Sequence, residues 1–361
     1  MRWPKLLLTL ATFALLLSQL PGLAQSSSGA HASPAFKTTP VEAVDLRQHP
    51  YAGRQPVDVV IGLYITNLAL VEETREQLQF EGYLTLEWRD PRVALPAAAR
   101  SKDHRRTFNP DALWTPAIET ANLISHRTSQ SVLEADDDGN LRYVERSDTT
   151  ISTSYELRKF PFDSQLLEIR VEPFLPSASE IHFASKPANW TGIDLQNSGL
   201  AAWTVEGLRY ETSDAPPEGA IPARPRAVFH IHIARRSGFY VWKIFLPLIL
   251  LAAIPWSAFW YDVDDFAGKM SIPLGIVLSL VAFQFSIARD LPRVGYITFL
   301  DAVFITSFVF AFLCIVEVTL VYVLQSRKHS PIADKMRRTA RWAFPASYAL
   351  LLLLLIVIFW S

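Results

Sequence analysis

Few side chains in this sequence are placed to do chemistry, and most of those are carboxylates. Asp136, Asp137 and Asp138 run into Gly139 and Asn140, an oxygen-rich pentapeptide of the kind that opens a calcium loop. A twelve-residue loop closes on an acidic ligand at position 147, where Ser147 stands. The pentapeptide therefore reads as a hairpin turn, and no metal site is assigned. His230 and His232 alternate along one run. They share a strand face and could bind a metal, titrate near neutrality, or simply be polar surface. Glu317 sits within a long apolar stretch; a carboxylate there must face protein or water, and either titrates or ties helices together. The one cysteine, Cys314, excludes a disulfide within the chain. No nucleophile–base constellation is present, so the chain is read as no enzyme, and no cofactor is assigned. That leaves Asp163, which follows Phe160, Pro161 and Phe162. An apolar loop with a carboxylate at its tip belongs against something greasy.

The elements around these residues fall into three textures. Half of the 361 residues are apolar and the formal charge is −1, so there is no basic excess to follow a nucleic acid. Residues 1–24 place Arg2 and Lys5 before an apolar run that ends at Gly22 and Ala24. That is the layout of a secretory signal, with an uncleaved anchor as the alternative. Residues 25–236 are short alternating runs separated by Pro, Gly, Asp and Asn. "VDVVIGLYITNL" (57–68) puts Val57, Val59, Ile61, Leu63 and Ile65 on one face, and "YLTLEW" (83–88) repeats the pattern. In 160–174 the loop feeds a strand that sets Leu167, Ile169 and Val171 against Glu168, Arg170 and Glu172. Many short strands with turns between them predict an antiparallel β-sandwich. The Pro-rich 213–225 reads as a long hairpin loop.

From 237 to 361 the chain turns greasy, with four predicted membrane crossings at 239–260, 268–289, 297–324 and 342–360. Trp and Tyr cluster at their ends, as at a lipid interface. The loop 326–341 carries Arg327, Lys328, Lys335, Arg337, Arg338 and Arg341, which predicts a cytoplasmic loop and an exported β domain. On the second crossing, Ser271, Gly275, Leu278, Ala282, Phe285 and Arg289 fall on one narrow helical stripe. Small residues on a stripe also serve close helix packing. The charges at both ends, Asp262, Asp264, Asp265 and Lys269 against Arg289, Asp290 and Arg293, favour a water path narrowed at Leu278 and Phe285. One helix cannot enclose a channel, so a ring of subunits is required.

Six segments in order resemble the pentameric ligand-gated ion channels of the Cys-loop receptor superfamily: "LWTPA" (113–117), "FPFDSQ" (160–165), "VEPF" (171–174), "RRSGFY" (235–240), "LPR" with "YITFLDA" (291–302), and "RWAFP" (341–345). The cysteines that bracket the loop in animal members are replaced by Thr153 and Leu167, the pattern of the bacterial branch, and the likeness is nearest to the amine-gated, ELIC-like channels. The resemblance implies a homopentamer around a central pore, in a bacterial inner membrane, with the β-sandwich periplasmic, passing monovalent ions. It implies coupling of binding to gating through Phe160, Pro161, Phe162, Asp163 and Pro292, with Asp163 paired to Arg235 or Arg236 and joined by Glu72 or Glu73. It places a small-molecule agonist, an amine by preference, between subunits against Tyr83, Glu119, Glu172, Phe174 and Tyr210. The flap departs from the pattern: Arg224 and Arg226 stand where a capping aromatic is expected, and arginine there repels an amine and suits an anion or zwitterion. At the inner mouth Ala267 and Gly268 replace the glutamate ring of cation channels, while Asp264 and Asp265 a turn earlier favour cations. Gating by protons, and a non-conducting membrane-tethered sensor, are the rival readings.

Overall fold

Strict alternation leaves each strand one apolar face, and two such faces must be buried against each other. The computed structural model describes residues 45–101, 104–174, 179–196, 200–260, 266–288, 293–326 and 331–361. One sheet is built from β1 (Val57–Glu72), β2 (Gln77–Arg89), β3 (Arg105–Phe108), β5 (Leu123–Asp136), β6 (Asn140–Ser152), β8 (Ile181–Phe183) and β9 (Gly192–Ile193). Its order is β3-β5-β6-β2-β1-β8, with β9 also on β1. The second, in order β10-β11-β7-β4, uses β4 (Ile118–Thr120), β7 (Ser164–Pro173), β10 (Trp203–Ala215) and β11 (Arg224–Arg235). Val57, Val59, Ile61, Leu63 and Ile65 of β1 are buried, as are Leu167, Ile169 and Val171 of β7 and Phe229, Ile231 and Ile233 of β11. Each large side chain so buried contributes roughly 1.5–3 kcal/mol before entropy is counted.

Two glycines permit this packing. Gly139 closes the β5–β6 hairpin at φ 84°, a region other residues avoid. At Gly82 a Cβ would lie 2.6 Å from the Tyr64 carbonyl oxygen, beside a register shift between Ile65 and Asn67. The Asp136 carboxylate is spent inside its own turn. It accepts from the backbone N–H of Asp138 (2.9 Å) and of Asn140 (2.8 Å) and from the Asn140 amide (2.8 Å). The hairpin loop expected at 213–225 is shorter than its prolines suggest, because β10 and β11 stay paired out to Ala215 and Arg224. Pro225 is tolerated near the start of a strand, where a missing N–H costs little.

Among the described residues, four helices are long and apolar enough to cross a membrane: α1 (Gly238–Trp260), α2 (Phe266–Ile287), α3 (Phe299–Ser326) and α4 (Pro331–Trp360). Residues Val241–Phe245 of α1 form a π-helical stretch and Ile254–Trp260 a 3₁₀ stretch. A reciprocal cap starts α3: the Thr298 N–H and hydroxyl both donate to Asp301 Oδ2 (3.0 and 2.7 Å), and the Asp301 N–H donates to Thr298 Oγ1 (3.2 Å). The expected loop 326–341 is corrected by α4, whose first turns take up Lys335, Arg337, Arg338 and Arg341. Pro331 suits a helix start, and nothing from 332 to 341 is Gly or Pro.

Candidate functional site

Three places gather the residues singled out above. The first is the junction of sandwich and helices. Asp163 is buried and its carboxylate grips Arg235 with two bonds, Nε to Oδ1 at 2.7 Å and Nη2 to Oδ2 at 3.1 Å. Glu73 takes Arg235 Nη1 at 2.7 Å, and Gln165 Nε2 donates to Asp163 Oδ2 at 2.5 Å. The guanidinium lies over Trp203 (4.1 Å) and Phe160 (4.7 Å). Burial alone would lower the Arg235 pKa; the bonds and charges of Asp163 and Glu73 outweigh it and hold the guanidinium above its ordinary value. Arg236 is exposed and donates to Thr204 Oγ1, while Glu72 pairs with Arg75. Of the two arginines and two glutamates considered, Arg235 and Glu73 form the network.

The same loop is fastened to the helices. Phe160 meets Tyr240 edge-on at 4.8 Å, and Phe162 sits 5.8–5.9 Å from Phe245, Phe299 and Trp360. The Leu157 N–H donates to the Tyr296 hydroxyl (2.9 Å) and the Phe299 N–H to the Arg158 carbonyl (2.8 Å). One loop thus touches α1, α3 and α4. Sequence reasoning missed Trp203, Gln165, Tyr296 and Trp360. Gln165 and Tyr296 stand inside segments quoted above, 160–165 and 291–302, but a lone Gln, Tyr or interfacial Trp has no periodicity that assigns its partner.

The second place is α2. Lys269, Pro273 and Leu280 are its buried residues, and at about 100° per residue they lie within about 40° of one direction. Ser271, Gly275, Leu278, Ala282 and Phe285 are all exposed and centre about 180° away. Leu278 and Phe285 leave 71% and 72% of their surface uncovered. The stripe therefore faces directly away from the subunit's own helices. Asp264, Asp265, Arg289 and Pro292, like residues 1–24, fall outside the described residues. Lys269 instead lines a small cavity with Glu317 of α3 and Arg337 of α4, with room for about one water.

The third place is the outward face of the four-stranded sheet. Glu119 and Glu172 are cross-strand partners on β4 and β7. Glu119 is exposed, and Phe174 just beyond β7 is 50% exposed. Glu172 is wholly buried, because Arg224 Nε donates to its Oε2 and Arg226 Nε to its Oε1, the latter at 2.5 Å. Tyr83 belongs to the other sheet, on β2, with the Arg146 guanidinium 5.9 Å from its ring centre. Tyr210 lies in the sandwich: its ring packs on buried Phe229 (5.2 Å) and its hydroxyl donates to the Ala184 carbonyl (2.8 Å). Burial pushes that hydroxyl's pKa up to about 12. Tyr210→Phe is expected to cost about 1 kcal/mol of stability, read by thermal unfolding, with no change in any ligand response.

His126 and His230 each face carboxylates as well. His126 Nε2 is 2.5 Å from Glu145 Oε1, which also accepts from Thr128, while Tyr143 donates to Oε2. His230 Nε2 is 2.9 Å from Glu211.

Residues 41–237 match the neurotransmitter-gated ion-channel ligand binding domain, and residues 244–354 match the neurotransmitter-gated ion-channel transmembrane region. A proton-gated ion channel of Gloeobacter violaceus is 25% identical over 321 residues, covering 86% of each chain. The human glycine receptor subunit beta is 28% identical over 304 residues, which is 81% of this chain and 60% of the receptor subunit. A Drosophila melanogaster gamma-aminobutyric acid receptor subunit beta-like protein is 24% identical over 77% of this chain and 58% of its own length.

Proposed function

We propose that this chain, which belongs to the neurotransmitter-gated ion-channel family, forms a homopentameric, cation-conducting channel opened by a small ligand bound between subunits. Family members assemble as pentamers, bind ligands and conduct ions, and this is a multi-pass membrane protein with four helices. The observation that carries the reading is the α2 stripe turned away from the subunit's own bundle, which five copies would place around an axis. We assign the membrane to a bacterial inner membrane, with the sandwich in the periplasm. Cation passage is supported by Lys269, whose charge turns toward Glu317 and Arg337 and not toward the stripe. For an amine agonist, Glu119 and Phe174 remain open on the sheet, whereas Glu172 is already neutralised. Kinship with the amine-gated bacterial branch rests on the segments quoted above.

The test is a bi-ionic reversal potential recorded from proteoliposomes under a panel of ligands at fixed pH. A reversal following the cation gradient supports the assignment, and one following chloride rejects it. Ligand binding without any current would favour a tethered sensor.

Proton gating is the second reading, favoured by the close His126–Glu145 and His230–Glu211 pairs, since protonation turns each into an ion pair. A pH drop without added ligand that opens the channel, and an opening lost in His126→Gln or His230→Gln, would support it.

A further inference from the structure

A lysine and a carboxylate are buried together where the four helices meet. Lys269 of α2 is 5% exposed and Glu317 of α3 is 7% exposed, although neither type enters apolar surroundings readily without a partner. Both line one small cavity with Arg337 of α4, and Ala258 and Phe259 of α1 and Tyr322 of α3 complete its wall. We infer that Glu317 is a positioning residue for ion selectivity: it keeps the Lys269 ammonium inside the bundle, and so keeps a ring of positive charge out of the inner mouth. This rests on reading α2 as the pore helix of a pentamer.

Among the described residues on the cavity wall, Glu317 is the only acid, set against two cations. Arg337 has a second carboxylate near it, Asp334 at 4.0 Å, and keeps 22% of its side chain in solvent. Lys269 is sunk deeper, so the Glu317 charge matters more to it. Glu317 Oε1 is shielded and has no hydrogen-bond partner, while the cavity admits about one water. That oxygen therefore acts across a short gap, through water and charge, with no direct bond of its own to lock the lysine. Lys269 lies two residues from Ser271, about 3 Å along the helix and about 200° around it. It shares the level of the innermost stripe residue, on the opposite side of α2. A lysine carries its charge on a flexible four-carbon stem, so the ammonium can swing out to water while α2 stays helical. Neutralising Glu317 leaves two cations on an otherwise apolar wall, and the lysine turns toward the aqueous mouth. A ring of ammonium groups there opposes cations and admits anions.

The experiment uses the full-length channel in proteoliposomes at one buffered pH, in a Leu278→Ser parent that needs no ligand, with reversal potentials read in sodium chloride gradients. Glu317→Gln is expected to lower the sodium-to-chloride permeability ratio about fivefold or more. Lys269→Gln should leave the ratio unchanged, and the two changes together should restore it, because the displaced charge is gone. A contact that only ties helices would lower thermal stability and flux without moving the ratio, and that result overturns the inference. A higher ratio in Lys269→Gln also overturns it, since the lysine would already face the ions. A membrane-impermeant amine reagent, with the labelled lysines mapped by mass spectrometry, reads the side chain directly. Lys269 should stay unlabelled in the parent and react in Glu317→Gln; reaction in the parent overturns the inference even where that variant fails to assemble. A parent reversal on the chloride side, with the same fall in Glu317→Gln, upholds the inference and sinks the cation reading. Labelling as expected with no flux from any protein also upholds it and sinks the channel reading instead.

Discussion

Asp163→Ala is expected to give a channel that binds its ligand and largely fails to open. The carboxylate holds a buried guanidinium by two bonds and is itself held by Gln165. Removing it leaves Arg235 packed between Trp203 and Phe160 with only Glu73 for compensation. Breaking a buried pair this way costs roughly 3–5 kcal/mol. Arg235 is the last residue of β11, and α1 begins three residues later, so its displacement loosens the strand that feeds the first helix. The loop carrying Asp163 is bonded to the start of α3 through Phe299. Loss of the pair should therefore lower maximal flux about tenfold or more while ligand affinity moves by less than about threefold. An ordinary structural salt bridge would instead lower thermal stability with binding and opening reduced together. Arg235→Lys separates these outcomes, since it keeps a charge but cannot make the two-bond grip.

Leu278→Ser should open the channel without any ligand. Leu278 and Phe285 are large, apolar and uncovered on the stripe, so a closed pore made of them excludes water by dewetting. Replacing Leu by Ser removes roughly 2 kcal/mol of apolar transfer free energy per copy. If the closed collar realises a third of that, five copies shift the opening equilibrium by roughly 3 kcal/mol, about a hundredfold. Flux in unliganded proteoliposomes measures it directly. Leu280→Ser is the contrast: Leu280 is fully buried against the bundle, so that change should destabilise the subunit without producing spontaneous flux.

Much of this architecture was legible because periodicity records burial. The alternation in β1, β7 and β11 forecast the sandwich, and four apolar runs forecast four helices. The stripe was legible for the same reason, since 3.6-residue periodicity maps sequence onto a helix face. The junction was half legible. An apolar loop ending in Asp163 announced a greasy neighbour, but the choice of Arg235 over Arg236 and of Glu73 over Glu72 depends on where β11 ends, at Arg235, and where β1 gives way to a turn, after Glu72. Residue type alone could not show that the Tyr210 ring lies against Phe229. The helical state of 331–341 was hidden by its charge, because a basic segment between two crossings reads as loop unless the absence of Gly and Pro is weighed. The pairing of Glu172 with Arg224 and Arg226 joins strands 52 and 54 residues apart, a distance at which sequence carries no local signal.

The most direct measurement is thiol accessibility along α2. The only cysteine, Cys314, is buried, so Cys314→Ala supplies a background without reactive thiols. Single cysteines at Ser271, Leu278 and Phe285 should react with a charged, water-soluble thiol reagent and block flux when the channel is open, while cysteines at buried Leu280 and at Leu353, exposed on the apolar helix α4, should not. Protection of all three stripe positions in every condition, alongside reaction only with membrane-soluble reagents, would contradict the account.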